Sequence, residues 1–240
     1  MDSCPSPVTH IYRAGETHLR EREEIMSTQE TDWHIICDAD TFEKCRKDVK
    51  FAYIVTLARA VNALNFVNSV MVDKQGKDDP AAQRDRLNSY LFGSAIMYEA
   101  LKLVRAMNQP FLDDDDFQSG LRLLLKDRTA QQIERAHLNP ARHQAVFHFI
   151  PETFAAIISK TIRIDSPFVS SRGKRRGNIS YAYADVVAAE ILVGLSSNTE
   201  EFFSALGDAM AKTRDLVIKF ADNAERLIAL HLKAWGFQRE

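Results

Sequence analysis

Between Thr41 and Asp73, apolar residues recur at Phe42, Cys45, Val49, Tyr53, Ala60, Leu64, Val67 and Met71. Steps of three, four and seven put them on one face of a long helix, and no glycine or proline interrupts the run. A second run extends from Pro80 to Asn108, with Leu87, Leu91, Ala95, Tyr98, Leu101 and Val104 or Arg105 as its inner stripe. "DKQGKDDP" separates the two; Gly76 and Pro80 are breakers, and Pro80 suits a first helical turn. A short link between two long amphipathic helices predicts an antiparallel hairpin.

Shorter elements follow. Asp113 to Asp116 precede a short helix through "FQSGLRLLL", where carboxylates are favoured by the partial positive charge of a helix start. Adjacent aspartates diverge around the axis, which argues for a solvated helix start over a divalent-metal site. "TAQQIERAHL" is another short helix. Asn139 is then a good N-cap and Pro140 a good first residue for a new helix, which Pro151 stops or kinks before "ETFAAIISKTI" resumes the pattern. Residues 165–180, "DSPFVSSRGKRRGNIS", form a basic loop, and "YAYADVVAAEILVGL" is a buried helix.

The chain ends in a long helix. Ser197 and Glu200 have capping-box spacing, Phe203, Leu206, Met210, Thr213, Val217, Phe220, Ala224, Leu227 and Leu230 form its stripe, and Gly236 stops it. No strand pattern competes. The expected class is all-α: a helical bundle on a long antiparallel hairpin with additional C-terminal helices. Residues 1–40 are an N-terminal extension, and 41–240 a single domain with a C-terminal helical extension.

Composition narrows the function. With 45% hydrophobic and 27% charged residues, most of the chain has the means to fold. The formal net charge of −2 excludes a polycation, so nucleic-acid binding requires a local patch. Arg172, Lys174, Arg175 and Arg176 supply one, although little aromatic interleaving accompanies it and a solvated loop accounts for it as well. Cys4, Cys37 and Cys45 are odd in number and suit a reducing compartment. No apolar run approaches the ~20 residues that span a bilayer, and the N-terminus lacks signal-peptide character. A cytoplasmic protein without a membrane partner is expected.

The stretch with chemical character is "NPARHQAVFHF", residues 139–149. A guanidinium at Arg142, near a helix start, offers a planar donor fork for phosphate. An imidazole at His148 can act as general acid or base near neutral pH. RNA cleavage without a metal needs a base for the ribose 2′-hydroxyl, a cation for the phosphoryl oxygens and an acid for the leaving oxygen. In a straight α-helix at ~100° per residue, positions 142 and 148 differ by about 120°, so they do not share a face. Either Arg142 bends round in an irregular first turn, or a second subunit completes the site. The flanking phenylalanines of His148 also fit a buried, structural ring.

Arg142, His143 and His148, with five residues between the arginine and the second histidine, resemble the motif of the HEPN superfamily (higher eukaryotes and prokaryotes nucleotide-binding domains). That motif is an arginine, then a polar residue, usually Asn, Asp or His, then a histidine after four to six intervening positions. "LARAVNAL", "RLNSYLFGSAIMYEALKLV" and "RHQAVFHF" look like the abortive-infection and uncharacterised bacterial branches, and the resemblance covers roughly residues 41–160. It implies a homodimer with the motifs facing across the interface, and metal-independent ribonuclease activity, often in toxin or phage-defence settings. Arg142 and His148 would be catalytic, His143 would orient or assist, and RNA and an antitoxin or regulatory protein would be the partners. No cofactor is implied.

Other groups are weaker. Glu134 and His137 have the spacing of a di-iron helical unit, but the chain has no second pair. Arg59, Asn62 and Asn65 are polar points on the first long helix, better explained by solvent or a buried hydrogen bond. The alternative to a ribonuclease is a non-catalytic helical module that binds a protein or nucleotide; a metal-dependent helical enzyme is a third, weaker reading.

Overall fold

Two aspartates set where the first helices begin. The computed structural model describes residues 35–77, 79–148, 150–160, 169–171, 179–196 and 198–239. Asp38 accepts from the Thr41 amide at 2.7 Å and opens α1 (Ala39–Cys45); Asp48 accepts from the Lys50 amide at 2.8 Å and opens α2 (Val49–Asp73). The single helix expected from Thr41 is therefore two. The break comes from aspartate capping, which needs neither glycine nor proline. Phe42 and Val49, expected on the inner stripe, are exposed, while Ile54, Leu57, Val61, Leu64 and Val67 are buried.

Asp79 caps α3 (Pro80–Met107), with Pro80 in the first turn. Arg86, near its start, donates to the Lys74 and Lys77 carbonyls beyond the end of α2. Val67 lies against Gly93, where a Cβ would come within 3.0 Å of its side chain. Contacts that pair 74 with 86 and 67 with 93 run in opposite sequence order, so α2 and α3 lie side by side in opposite directions. Helix α2 has the length and apolar composition to cross a membrane, yet it packs against α3 and the last helix.

Next come α4 (Asp115–Ser119) and α5 (Leu121–Lys126), parted by Gly120, then α6 (Arg128–Ile133). Two π-helical stretches follow, π1 (Glu134–Leu138) and π2 (Ala141–Val146), then α7 (Pro151–Ile158). Helix α8 (Ala182–Val193) buries Val187, Ala188, Ala189 and Leu192. Asn198 caps α9 (Thr199–Ala234) by accepting from the Glu201 amide at 2.9 Å, one residue beyond the expected Ser197–Glu200 pair. Its buried stripe includes Phe202, Ala209 and Leu216 in place of Phe203, Met210 and Val217, and Leu230 is exposed. Gly236, at φ 89°, ends it in the left-handed region that glycine favours.

The class is all-α. The described strands are two-residue pieces: β1 (Ile35–Ile36) pairs with β4 (Gln238–Arg239), and β2 (Ser170–Ser171) with β3 (Ile179–Ser180). Two core clusters hold the helices together. One joins α2, the later part of α3, the short helices and the end of α9 through Ile54, Leu57, Met97, Leu101, Phe117, Phe220 and Leu227. The other packs Tyr90, Leu91 and Ala95 of α3 against Ala141, Ala145 and Val146 of π2, Ala189 and Leu192 of α8, and Phe202 and Leu206 of α9. The second cluster seats the arginine–histidine stretch on the middle of α3.

Candidate functional site

Asn139 and Pro140 do not start a helix. Asn139 has helical angles (φ −63°, ψ −48°), and its amide donates to the Glu134 carbonyl five residues back. Helix α6 thus runs on through π1, Asn139–Pro140 and π2 to Val146. The expected cap is overturned by Pro140, which sits inside this rod. Proline lacks an N–H, and its ring crowds the carbonyl one turn back. Wider i→i+5 turns on either side accommodate it.

His143 lies within π2, and the chain leaves the helix at Phe147 (φ −104°, ψ −20°), a bend that sets His148 against His143. Their rings stack with centroids 5.9 Å apart and planes 6° apart. His143 also meets the edge of Tyr98 of α3 at 5.2 Å. Both histidines are exposed, and among the described residues neither ring nitrogen makes a hydrogen bond. The structural alternative, a ring sealed in hydrocarbon, does not apply to His148.

Arg142 is held differently. Its Nε donates to Glu99 Oε1 at 2.7 Å, and its guanidinium lies over the Phe147 ring at 4.7 Å. Nη1 is buried without a hydrogen bond among the described residues. Lys102 approaches the other oxygen of Glu99 at 3.0 Å. Burial alone would raise the Glu99 carboxyl, but hydrogen bonds and charge from Lys102 and Arg142 outweigh it and hold the group below its ordinary range. One carboxylate thus serves two cations, and the cluster keeps one positive charge in excess.

Beside this cluster a cleft of about 560 Å³ opens between α2 and α3. Arg59, Glu99, Lys102 and Phe147 line it, over an apolar floor that includes Ala60, Ala63 and Leu103. Arg59 therefore reaches the neighbourhood of the motif, whereas Asn62 and Asn65 are exposed and do not line the cleft. On the far side of Phe147, the exposed Phe92 ring lies 6.4 Å away, at the edge of a second hollow of about 190 Å³ that reaches Asp185. Burial raises the Asp185 carboxyl, against the pull of its Asn88 hydrogen bond and the Arg84 charge.

His143 and His148 are thus in ring contact, while Arg142, next to His143 on π2, is turned to Glu99 and Phe147. The basic positions Arg172, Lys174, Arg175 and Arg176 lie outside the described residues. Glu99, Lys102, Tyr98 and Phe147 escaped the sequence reading as site residues. The available signal was Glu99 and Lys102, carboxylate and ammonium three apart on a helix that is otherwise apolar there.

The metal candidates are engaged elsewhere. Arg105 pairs with Glu134, and His137 Nδ1 donates to the Leu192 carbonyl at 3.1 Å. Burial lowers the His137 pKa, against the pull of its Leu192 hydrogen bond. Asp114 caps α4 through the Phe117 amide and meets His231 Nε2 at 2.9 Å, and Asp116 pairs with Arg226. Among the described residues, no three His, Cys, Asp or Glu side chains come together as a metal cage.

No protein-family model, no curated protein and no solved structure matches the chain.

Proposed function

We propose that the chain is a HEPN-like, metal-independent ribonuclease that acts as a cytoplasmic homodimer in a toxin or phage-defence setting. The observation that carries this reading is the pair of exposed, parallel imidazoles of His143 and His148, beside Arg142. One imidazole takes the proton of a ribose 2′-hydroxyl, and the oxygen forms a bond to the adjacent phosphorus. The bond to the 5′-oxygen breaks, and an imidazolium protonates that oxygen. His148 acts as general acid or base, and His143 orients it or assists. Arg142 and Lys102 steady the phosphoryl oxygens, sharing the positive charge that Glu99 leaves over. Arg142, with one edge on Glu99, contributes less than a free guanidinium, which favours a second subunit bringing its own arginine and histidines to the same RNA. The basic positions 172, 174, 175 and 176 would add phosphate contacts.

The test is RNA cleavage in excess chelator. Cleavage that survives chelation and falls about 10²–10⁴-fold in His148→Ala, with the helical circular dichroism unchanged, supports the reading. Activity that chelator abolishes, or that His148→Ala leaves intact, overturns it.

A second reading has its own observation. The cleft between α2 and α3 carries cations and an aromatic edge over an apolar floor, a suitable seat for a nucleotide or peptide without any reaction. RNA left intact by the wild-type protein over a range of salt, together with binding lost in Arg59→Ala, would favour that non-catalytic module.

A further inference from the structure

Away from the motif, three hydroxyl groups are buried where α3 meets α9. Tyr90, Ser94 and Thr213 have relative exposures of 3%, 0% and 4%. None of the three side-chain oxygens makes a hydrogen bond of normal geometry among the described residues. The usual recourse for a hydroxyl on a helix is the carbonyl one turn back. Thr56 takes it, donating to the Ala52 carbonyl at 2.8 Å, as does Ser69 to the Phe66 carbonyl at 2.8 Å. Ser94 and Thr213 do not.

The same three residues line a cavity of about 50 Å³, with Leu64 and Val67 of α2 as its apolar wall and Asn68 and Arg214 at its rim. Two independent features thus coincide: unsatisfied polar atoms and a space of a definite size. A water molecule occupies ~30 Å³ in the liquid and needs two to four polar partners when buried. A buried hydroxyl left without a partner is costly, so an occupant that bonds to several at once is strongly favoured.

The geometry points to an internal water site, holding one or two molecules that bridge Tyr90 of α3, Ser94 of α3 and Thr213 of α9. The bridge is a hydrated joint between the helix that carries Glu99 and the longest helix of the bundle. Burial pushes the Tyr90 hydroxyl up to about 12, while the Thr213 and Ser94 hydroxyls, close enough to bond to it, pull the other way.

The experiment pairs a high-resolution crystal structure of the full chain with xenon pressurisation, because a dry apolar cavity takes up xenon and a hydrated one resists it. Wild-type crystals are expected to show one or two ordered peaks within hydrogen-bond distance of Tyr90 Oη, Ser94 Oγ and Thr213 Oγ1, and no xenon. In Tyr90→Phe/Ser94→Ala/Thr213→Val the peaks vanish and xenon enters. Should the triple variant not fold, Thr213→Val alone is expected to lose a peak or shift it off position 213. Xenon in the wild-type cavity, or hydroxyls bonded directly to one another with no peak between them, overturns the proposal.

Discussion

His143 and His148 stack with nearly parallel rings, the first inside π2 and the second two residues past its end, beyond the bend at Phe147. Pro140 is the residue that makes an α register costly here. Replacing it with alanine restores the missing N–H and removes the ring, so the rod can tighten. A proline costs ~3 kcal/mol in an α-helix interior. The wider turns already absorb part of that, so Pro140→Ala is expected to raise stability by about 1–2 kcal/mol in urea unfolding. The tightened register swings His148 away from His143, and RNA cleavage falls while the protein becomes more stable. Greater stability with undiminished cleavage would separate the π register from the reaction.

Glu99 sets how much of Arg142 is available to an anion. Glu99→Gln keeps an acceptor for Nε and removes the charge that two cations share. Both pairs are partly exposed, so the stability loss is expected to stay under about 1 kcal/mol. Freed cations hold phosphate more tightly, so KM falls, and the slope of log affinity against log salt steepens by about 0.7 for each added phosphate contact on a single strand. A less firmly oriented guanidinium lowers kcat. Glu99 also contributes stability above its unfolded pKa that is lost as pH falls through its lowered folded value, and Glu99→Gln should remove that acid-side loss. Unchanged KM and salt slope would mean that Arg142 is committed to holding π2 against α3.

Much of this arrangement was legible in the residues, and the exceptions share a cause. The 3.6-residue period located α2, α3 and α9, and Gly236 stopped α9 where a left-handed residue was needed. The period assumes a helix that runs on to His148, so it could not foresee that the chain would bend at Phe147 and set His148 against His143. Asn139 has the chemistry of a cap, but the packing of Leu138, Ala141 and Ala145 carried the rod straight past it. Asp48 broke a helix with no breaker residue, because a carboxylate that accepts from an amide two residues on offers the chain another turn. Glu99 stayed hidden because its partner lies 43 positions away.

His137 predicts a pH dependence of folding. Its Nδ1 hydrogen donates to the Leu192 carbonyl, tying π1 to α8, and burial lowers its folded pKa below the ordinary imidazole value of 6.5. The unfolded chain then binds more protons than the folded one just below pH 6.5, so stability rises with pH there. The contribution is complete above the unfolded pKa and is lost as pH falls through the lowered folded value. Urea midpoints between pH 5 and 8 should show this fall in the wild type and a flatter profile in His137→Asn. Equal slopes would place the acid sensitivity at other groups.

Gly120 lets α4 and α5 approach α9. A Cβ there would lie 2.6 Å from Asn223 Oδ1 and 3.0 Å from the Asp116 carbonyl oxygen. The Asn223 amide is itself fixed, donating to the Lys219 carbonyl at 2.7 Å, so it cannot simply swing aside. Gly120→Ala should therefore destabilise by about 1–3 kcal/mol, the range of overpacking. Asn223→Ala exposes only a mild loss alone, because its hydrogen bond lies within its own helix. The double variant should recover part of the deficit, since the side-chain clash is gone and the Asp116 carbonyl remains. A coupling energy of about 0.5 kcal/mol or more in the double-mutant cycle supports direct contact. Strict additivity would mean that the cost comes from the turn between α4 and α5 alone, and that α9 is not pressed against it.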